Sequence, residues 1–365
     1  MPTDFNPYAV TLARRAKGYS QAKLAELVGV SQAAVSHWEK GSRVPEPELV
    51  ARVANALHVL PLTLVDSSIA TTRPMFRASG IKKKGDEYRI EGRTELARIA
   101  ASRILSAVDI EPSISWPSVD DPLGHNPEEA AETLRRVWRI PAGPIPDLTQ
   151  FVESAGAIVL RVDFGHPKVE AAYAHPRRDA RRWILVNTYV TDWARSRLTL
   201  AHELGHAMLH HWDAFSVPDE RHREAEAYSF ALALMVPAAD FVRDVVHTKR
   251  RWEDFLHLRQ RWGISAAALA RRARDLNLLS DAAYRSLNIR RQSLGHRTQE
   301  PGNDQGPEQP TVFSDAIGLL RDEAHWTEET FSEVAGLPYS SLTDFLPVDF
   351  PGVAEPSRVT LRRIK

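Results

Sequence analysis

Apolar side chains in residues 8–65 recur three or four positions apart, and glycine or proline interrupts the pattern at short intervals. Spacing of this kind is typical of amphipathic helices, and each interruption marks a place where a helix ends. The sequence therefore predicts a run of short helices at the N-terminus. The apolar positions are Leu12, Leu24, Leu27, Val35, Val50, Val53 and Leu57, with breaks at Gly18, Gly29, Gly41 and Pro45.

Helical spacing continues in three further stretches, 86–110, 127–138 and 146–155. Leu96 and Ile104 share one face of the first, which predicts a single longer helix there. Proline, serine and aspartate then dominate the stretch before the second helix, which we interpret as a loop or linker.

Three short apolar runs follow, at 157–163, 170–174 and 182–187, with turn-like segments between them. Their lengths and spacing predict a small antiparallel sheet. The last run, WILVN, is either a strand along which an extended peptide pairs its backbone or an ordinary buried strand.

Two helical patterns come after these runs, at about 192–212 and 221–236, and Pro237 stops the second. More helix is predicted to about residue 290. Residues 293–312 are rich in glycine, proline and glutamine, a composition that predicts a flexible linker.

The chain contains an internal repeat, because residues 16–38 align without gaps on residues 323–345 and Gly29 falls opposite Gly336. The second copy has different surface chemistry. Residues 313–347 hold seven acidic residues and one basic residue, so phosphate would repel them. We expect this copy to dock onto a protein or onto another part of the same chain.

Charge and cysteine content limit the kinds of nucleic-acid contact and metal site that the chain can form. Lys+Arg and Asp+Glu number 47 each, so any contact with nucleic acid must come from a local arrangement. Cysteine is absent, which excludes disulfides and thiolate ligands and leaves histidine and carboxylates to hold a metal. The N-terminus lacks a signal-peptide pattern, and no run of 18 apolar residues occurs, so we predict a cytoplasmic protein with no membrane partner.

The segment LTLAHELGHAMLHH, residues 198–211, carries the clearest chemical motif. On a helix, the spacing of His202 and His206 puts both imidazoles on one face, one turn apart, so that two nitrogens can bind one ion. Glu203 lies beside the first histidine, where a carboxylate can take a proton from a metal-bound water. The motif predicts a zinc site with Glu203 as general base.

A catalytic zinc of this kind takes a third protein ligand, and the following helix, residues 224–237, offers two candidates, Glu224 and Glu226. His222 is a weaker alternative, and His210 is expected to be structural or exposed.

The two segments together resemble the ImmA/IrrE family of metallopeptidases. The resemblance implies a zinc site whose ligands are His202, His206 and Glu224. Phe230, Ala231 and Pro237 also match the family's second motif, but Tyr228 stands where the family has Asn, Asp or His. A side chain at that position is expected to hydrogen-bond to a metal ligand without contacting the metal itself.

Residues 19–45 resemble a helix-turn-helix of the Xre/Cro type. Ser20 and Ser31 can cap its two helices. The resemblance implies that residues 32–37 enter the major groove of double-stranded DNA, and it is compatible with a homodimer on a two-fold site. Gln32 and Ser36 would reach base edges, and Gln21, Lys40 and Arg43 would hold phosphates. The predicted surface comprises Gln21, Ser31, Gln32, Ser36, His37, Lys40 and Arg43.

In fold class we predict a mainly helical chain of the α+β type. A five-helix helix-turn-helix domain, 1–68, precedes a zincin-like peptidase domain, 75–292, with a small antiparallel sheet and the HExxH helix. The flexible linker, 293–312, leads to an acidic, degenerate helix-turn-helix-like unit with a basic tail, 313–365.

These features predict a zinc-dependent endopeptidase that is coupled to DNA and regulates transcription by cleaving a repressor-type protein, itself a helix-turn-helix protein by the family resemblance. One alternative is a transcription regulator whose peptidase-like domain is a sensor or interaction module with little hydrolytic activity. Another is an antitoxin-like or scaffolding protein that uses both helix-turn-helix copies for protein contacts.

Overall fold

The computed structural model describes residues 5–69, 81, 83–117, 126–176, 179, 181–210, 220–297, 299–302, 305–348 and 359–364. Within these ranges the chain is mainly helical with small sheets, the α+β class that the sequence predicts. The predicted start of the peptidase domain at residue 75 and residues 349–358 of the predicted tail lie outside them.

The N-terminal domain has the five helices that were predicted, and their ends follow local capping. The Ser20 hydroxyl accepts a hydrogen bond from the Lys23 N–H, and the Ser31 hydroxyl accepts one from the Ala34 N–H. Gly29 ends the second helix at φ 70°, a left-handed conformation that favours glycine. The helices are α1 (Pro7–Ala16), α2 (Gln21–Val28), α3 (Gln32–Glu39), α4 (Pro47–Leu57) and α5 (Pro61–Val65).

The next helix, α6 (Lys84–Leu105), is shorter at its C-terminal end than the predicted 86–110, because residues Val108–Glu111 form strand β1. Helices α7 (Pro127–Val137) and α8 (Leu148–Ser154) follow close to their predicted positions.

The three apolar runs form strands β2 (Ile158–Val162), β3 (Ala171–Ala174) and β4 (Trp183–Asn187), in the spatial order β2-β4-β3. The prediction of a purely antiparallel sheet is wrong, because β2 and β4 pair in parallel while β3 and β4 pair antiparallel. Strand β4 is central and every one of its residues is buried, which explains its unbroken apolar run. With both of its edges paired, β4 offers no edge to an extended peptide.

In the described residues, six helices lie between β4 and the C-terminal copy of the repeat. They are α9 (Trp193–Leu209), α10 (Glu220–Met235), α11 (Ala238–Val245), α12 (Trp252–Trp262), α13 (Ala266–Asp275) and α14 (Asp281–Ser293). In the described part of the chain, no single helix is long and apolar enough to cross a membrane. The pair α10 and α11, bent by 67°, passes that test only when its two helices are taken together.

The C-terminal copy of the repeat folds as the alignment implies. Helices α15 (Val312–Asp322), α16 (Glu328–Ala335) and α17 (Tyr339–Phe345) correspond to α1, α2 and α3, and strand β5 (Thr360–Arg363) pairs with β1. The Thr327 hydroxyl caps α16 as Ser20 caps α2. Gly336 ends α16 at φ 78°, as Gly29 ends α2.

The chain divides into two compact units. Unit 1 comprises Met1–Ser113, Gly156–Tyr189 and Pro310–Lys365, and unit 2 comprises Ile114–Ala155 and Val190–Gln309. Unit 1 therefore holds both helix-turn-helix copies, α6 and the sheet, whereas unit 2 holds α9 and α10. The grouping follows packing alone, so the domain bounds predicted from the sequence remain a proposal.

Helix α6 is the centre of unit 1, since α1, α15, α16 and α17 all contact it. The acidic C-terminal copy docks there within the same chain. Its Gly336 carbonyl accepts hydrogen bonds from the Leu60 N–H at 2.9 Å and the Thr63 hydroxyl at 2.6 Å. Arg103 of α6 donates to the Ala335 carbonyl at 2.9 Å.

The prediction of a flexible linker at 293–312 needs correction, because two of its glutamates are held inside unit 2. Glu300 accepts hydrogen bonds from the N–H groups of Ala266 and Ala267, at the start of α13. Glu308 accepts from the Thr149 N–H at 2.9 Å and lies 3.3 Å from Arg197 of α9. The composition is typical of a linker, but the two carboxylates hold the segment in place.

Candidate metal centre

Helix α9 carries the histidine pair and begins at a side-chain cap, since Asp192 accepts a hydrogen bond from the Arg195 N–H. Leu200, Leu204 and Met208 are buried on the helix. The rings of His202 and His206 face each other edge to face, with their centroids 4.7 Å apart.

Helix α10 supplies a carboxylate to this pair. The Nε2 atoms of His202 and His206 lie 3.1 Å apart. The two oxygens of Glu224 lie 3.4 Å from Nε2 of His202 and 3.3 Å from Nε2 of His206. With one nitrogen from each histidine and one carboxylate oxygen, the three donor atoms lie within 4.8 Å of one another, and we call the two nitrogens and the carboxylate the triangle.

The dimensions of this triangle fit a zinc ion. Tetrahedral zinc with bonds of about 2.0–2.1 Å separates its donor atoms by about 3.3–3.4 Å, close to the distances found here. Two nitrogens and one carboxylate oxygen are also a donor set that catalytic zinc sites use. The residues present thus fit the metal that the motif predicts.

The electrostatics favour a charged Glu224. Partial burial opposes its ionisation, but hydrogen bonds and charge from His202 and His206 outweigh burial and hold the pKa of Glu224 well below its usual range. Glu203, beside His202 in the sequence, is only 5% exposed and is not part of the triangle.

The predicted nucleic-acid surface contains an ordered amide network. Gln32 donates to the Gln21 side-chain oxygen at 2.8 Å, and Gln21 donates to Glu39 at 2.8 Å. Arg14 holds the same carboxylate of Glu39 at 2.9 Å. The network places the Gln32 amide at the start of α3.

The other predicted members of this surface have separate places. Ser31 caps α3, and His37 Nδ1 lies 2.9 Å from the Ser42 hydroxyl. Lys40 and Arg43 lie just beyond α3 and are both exposed, whereas Ser36 on α3 is half-buried.

Known families match both the region of the metal centre and the region of the predicted nucleic-acid surface. Residues 152–274 match the family model of the IrrE N-terminal-like domain, a peptidase family, and residues 12–64 match the helix-turn-helix family. The chain joins a helix-turn-helix domain to an IrrE N-terminal-like domain. No curated protein matches the chain.

Within the IrrE-like domain, the two glutamates left open by the sequence have different partners. Glu224 meets the histidine pair, whereas Glu226 lies 3.1 Å from His210 Nε2 and 3.2 Å from His222 Nε2. His222 is 67% exposed and touches Glu226 rather than the triangle.

His210 contacts one of the two metal-site histidines, whereas the sequence predicted only a structural or exposed residue. It is only 5% exposed, and its Nδ1 lies 3.0 Å from Nδ1 of His206. Burial lowers the pKa of His210, against the raising effect of its hydrogen bond to Glu226. The signal in the sequence was the repeated spacing of four residues from His202 through His206 to His210.

Tyr228, the residue that departs from the family pattern, is half-buried on α10, one turn after Glu224. Burial raises its pKa, and the charged groups that act on it include Arg271 and Asp275 of α13.

Proposed function

We propose that this chain is a zinc-dependent endopeptidase, coupled to DNA by its helix-turn-helix domain, that regulates transcription by cleaving a repressor-type protein. The observation that carries the proposal is the triangle of His202 Nε2, His206 Nε2 and the Glu224 carboxylate, with edges of 3.1–3.4 Å. The peptidase family match of residues 152–274 supports it.

Each residue has a stated task in this proposal. His202, His206 and Glu224 hold the zinc, and Glu224 contributes a negative charge. A bound zinc would polarise the peptide carbonyl and lower the pKa of the attacking water. The Glu203 carboxylate would accept a proton from the attacking water and deliver it to the leaving nitrogen.

Metal analysis combined with a proteolysis assay tests the proposal. We expect about one zinc per chain in the purified protein, and loss of that zinc in His202→Ala. Glu203→Gln should keep the zinc and the fold but lose cleavage of helix-turn-helix repressors that are encoded beside this chain. A wild-type protein that binds no zinc would reject the enzyme, and a Glu203→Gln variant that still cleaves would reject Glu203 as the base.

DNA is the second partner that we propose, through residues 19–45. The helix-turn-helix family match and the ordered amide of Gln32 support contact with base edges. Tethering to DNA would raise the effective concentration of the peptidase near a DNA-bound repressor. Pairing of two chains on a two-fold site and a cytoplasmic location remain predictions.

A second candidate function is a transcription regulator in which the metal-holding domain acts as a sensor with little hydrolysis. The observation that favours it is Tyr228, which stands where the family has Asn, Asp or His. The two functions separate in one comparison. A sensor would bind zinc, cleave nothing and regulate equally well as wild type and as Glu203→Gln.

A further inference from the structure

His206 has polar neighbours at both of its ring nitrogens. Nε2 faces His202 and Glu224, and Nδ1 lies 3.0 Å from Nδ1 of His210. A neutral imidazole has one N–H and one lone pair, so a contact between two Nδ1 atoms requires one to donate and the other to accept. If His206 donates from Nδ1, its Nε2 carries a lone pair. If His210 donates instead, Nε2 of His206 carries the N–H.

Glu226 settles that choice from the far side of His210. Its Oε2 lies 3.1 Å from His210 Nε2, and a carboxylate can only accept a hydrogen bond. The proton of His210 therefore sits on Nε2, and its Nδ1 has the lone pair. A His206 that donates from Nδ1 keeps a lone pair on Nε2, which is the state that a zinc ion between His202 and Glu224 requires. Without the metal, Glu224 Oε1 lies 3.3 Å from the same Nε2 and favours a proton there.

We propose that Glu226, acting through His210, is a positioning residue that holds the proton of His206 on Nδ1 and so presents Nε2 to the zinc. The inference rests on the proposed function, because it assumes that the triangle binds zinc. Metal-binding histidines commonly donate their second N–H to a fixed partner, which sets both tautomer and ring orientation. Here the partner is a second histidine, and its own tautomer is set by a carboxylate on α10.

The relay from Glu226 through His210 to His206 accounts for features that the triangle alone leaves unexplained. His210 is buried beside a ligand although it is not part of the triangle, and Glu226 contacts it although Glu224 is the residue near the histidine pair. In Glu226→Gln the amide can donate as well as accept. The opposite proton order is then open, and it puts an N–H on Nε2 of His206, where no metal can bind.

The test is a zinc titration of the metal-free, full-length chain in competition with a chromophoric chelator. We expect Glu226→Gln and His210→Ala to weaken zinc binding about 10–100-fold. Glu220→Gln is the matched control, because it removes the same charge from an exposed position of α10 and should leave zinc affinity unchanged. Circular dichroism and the unfolding midpoint of each metal-free variant show whether it is folded.

A rescue variant separates proton placement from simple packing. In His210→Asn, the side-chain oxygen can stand where Nδ1 of His210 stood and accept from His206 without help from Glu226. We expect near wild-type zinc affinity in this variant, and no further loss when Glu226→Gln is added, so the two sites should be strongly non-additive.

The outcomes are distinct. Wild-type zinc affinity in Glu226→Gln, or a loss in His210→Asn as large as in His210→Ala, overturns the positioning role while the zinc site itself stands. A wild-type chain that binds no zinc overturns the proposed function and this inference with it.

Discussion

Gly205 of α9 lies against the backbone of Ala227 in α10 so closely that no side chain fits between them. A Cβ placed on Gly205 would come within 2.8 Å of both the Cα and the carbonyl oxygen of Ala227. Gly205 sits just before His206, and Ala227 lies one turn beyond Glu224. The close crossing of the two helices therefore sets the distance between the histidine pair and the carboxylate.

We predict that Gly205→Ala destabilises the protein and weakens zinc binding. Replacing a helical glycine with alanine normally stabilises by about 0.5–1 kcal/mol, but overpacking against a fixed backbone costs about 1–3 kcal/mol and should win here. Separating α9 from α10 would also move Glu224 away from His202. Urea unfolding and a zinc titration of the variant measure the two effects.

Gly318→Ala is the matched control for this substitution. Gly318 lies inside helix α15, and a Cβ there would meet nothing within 4 Å. This variant should gain about 0.5–1 kcal/mol of stability and bind zinc normally. If Gly205→Ala behaved in the same way, the close crossing would have no role in building the site.

A second prediction concerns the pH dependence of unit 1. Partial burial opposes ionisation of Asp66, but hydrogen bonds from Ser68 and the guanidinium of Arg103 outweigh it and lower the pKa of Asp66. A carboxylate whose folded pKa is depressed adds stability above its unfolded pKa of about 3.9, and the contribution disappears as pH falls through the folded value.

Asp66→Asn should therefore reduce the free energy of unfolding at pH 7 by about 1 kcal/mol or less, because the pair is partly exposed to solvent. The difference from wild type should shrink as the pH is lowered below about 4. Urea unfolding of both proteins across this range is the measurement. Asp322→Asn removes an exposed carboxylate from the same unit and should show no such trend, and a pH-independent loss in Asp66→Asn would contradict the assignment.

The third prediction tests the segment that was expected to be a flexible linker. Arg197 and Glu308 form an ion pair in unit 2 whose side chains are 2% and 7% exposed. Glu308→Ala removes the carboxylate partner of the buried Arg197 guanidinium. Removing one partner of a buried ion pair costs about 3–5 kcal/mol of stability. Because Arg197 lies on α9, zinc affinity should fall as well.

Gln309→Ala, at the exposed neighbouring position, provides the comparison and should stay within about 0.5 kcal/mol of wild type. Chemical unfolding of both variants measures the difference. Equal stability of Glu308→Ala and Gln309→Ala would mean that the segment is loosely attached after all.

The features that could be predicted from the sequence are those determined by contacts between residues close together in the chain. Ser20, Gly29 and Ser31 shape their helices through contacts within a few residues, so the five N-terminal helices were predictable. The spacing of His202 and His206 likewise needs only one helix to bring the rings together.

Contacts between distant segments were not predictable in the same way. Glu224 and Glu226 point about 200° apart on one helix, and the crossing of α9 and α10 decides which of them meets the histidine pair. The parallel pairing of β2 with β4 and the burial of Glu308 against Arg197 both join parts of the chain that carry no local signal for each other.

The last prediction separates base reading from phosphate binding in the helix-turn-helix domain. The amide of Gln32 is held by Gln21, which itself donates to Glu39. The Gln32 side chain therefore loses little conformational entropy when it binds DNA. We expect Gln32→Ala combined with Ser36→Ala to lower the preference for the favoured DNA sequence by about 1–3 kcal/mol, with little change on unrelated DNA. Binding to both DNAs by fluorescence anisotropy measures this.

Lys40→Ala combined with Arg43→Ala is the contrasting variant, because both residues lie just beyond α3 and were assigned to phosphates. It should weaken binding to every sequence alike and reduce the slope of log affinity against log salt by about one for each phosphate that is no longer neutralised. Ser31→Ala should act differently from both pairs. Its hydroxyl caps α3, so it should cost about 1 kcal/mol of stability before it affects DNA. A wild-type domain with no sequence preference at modest salt would remove the DNA partner and favour a protein partner for this surface.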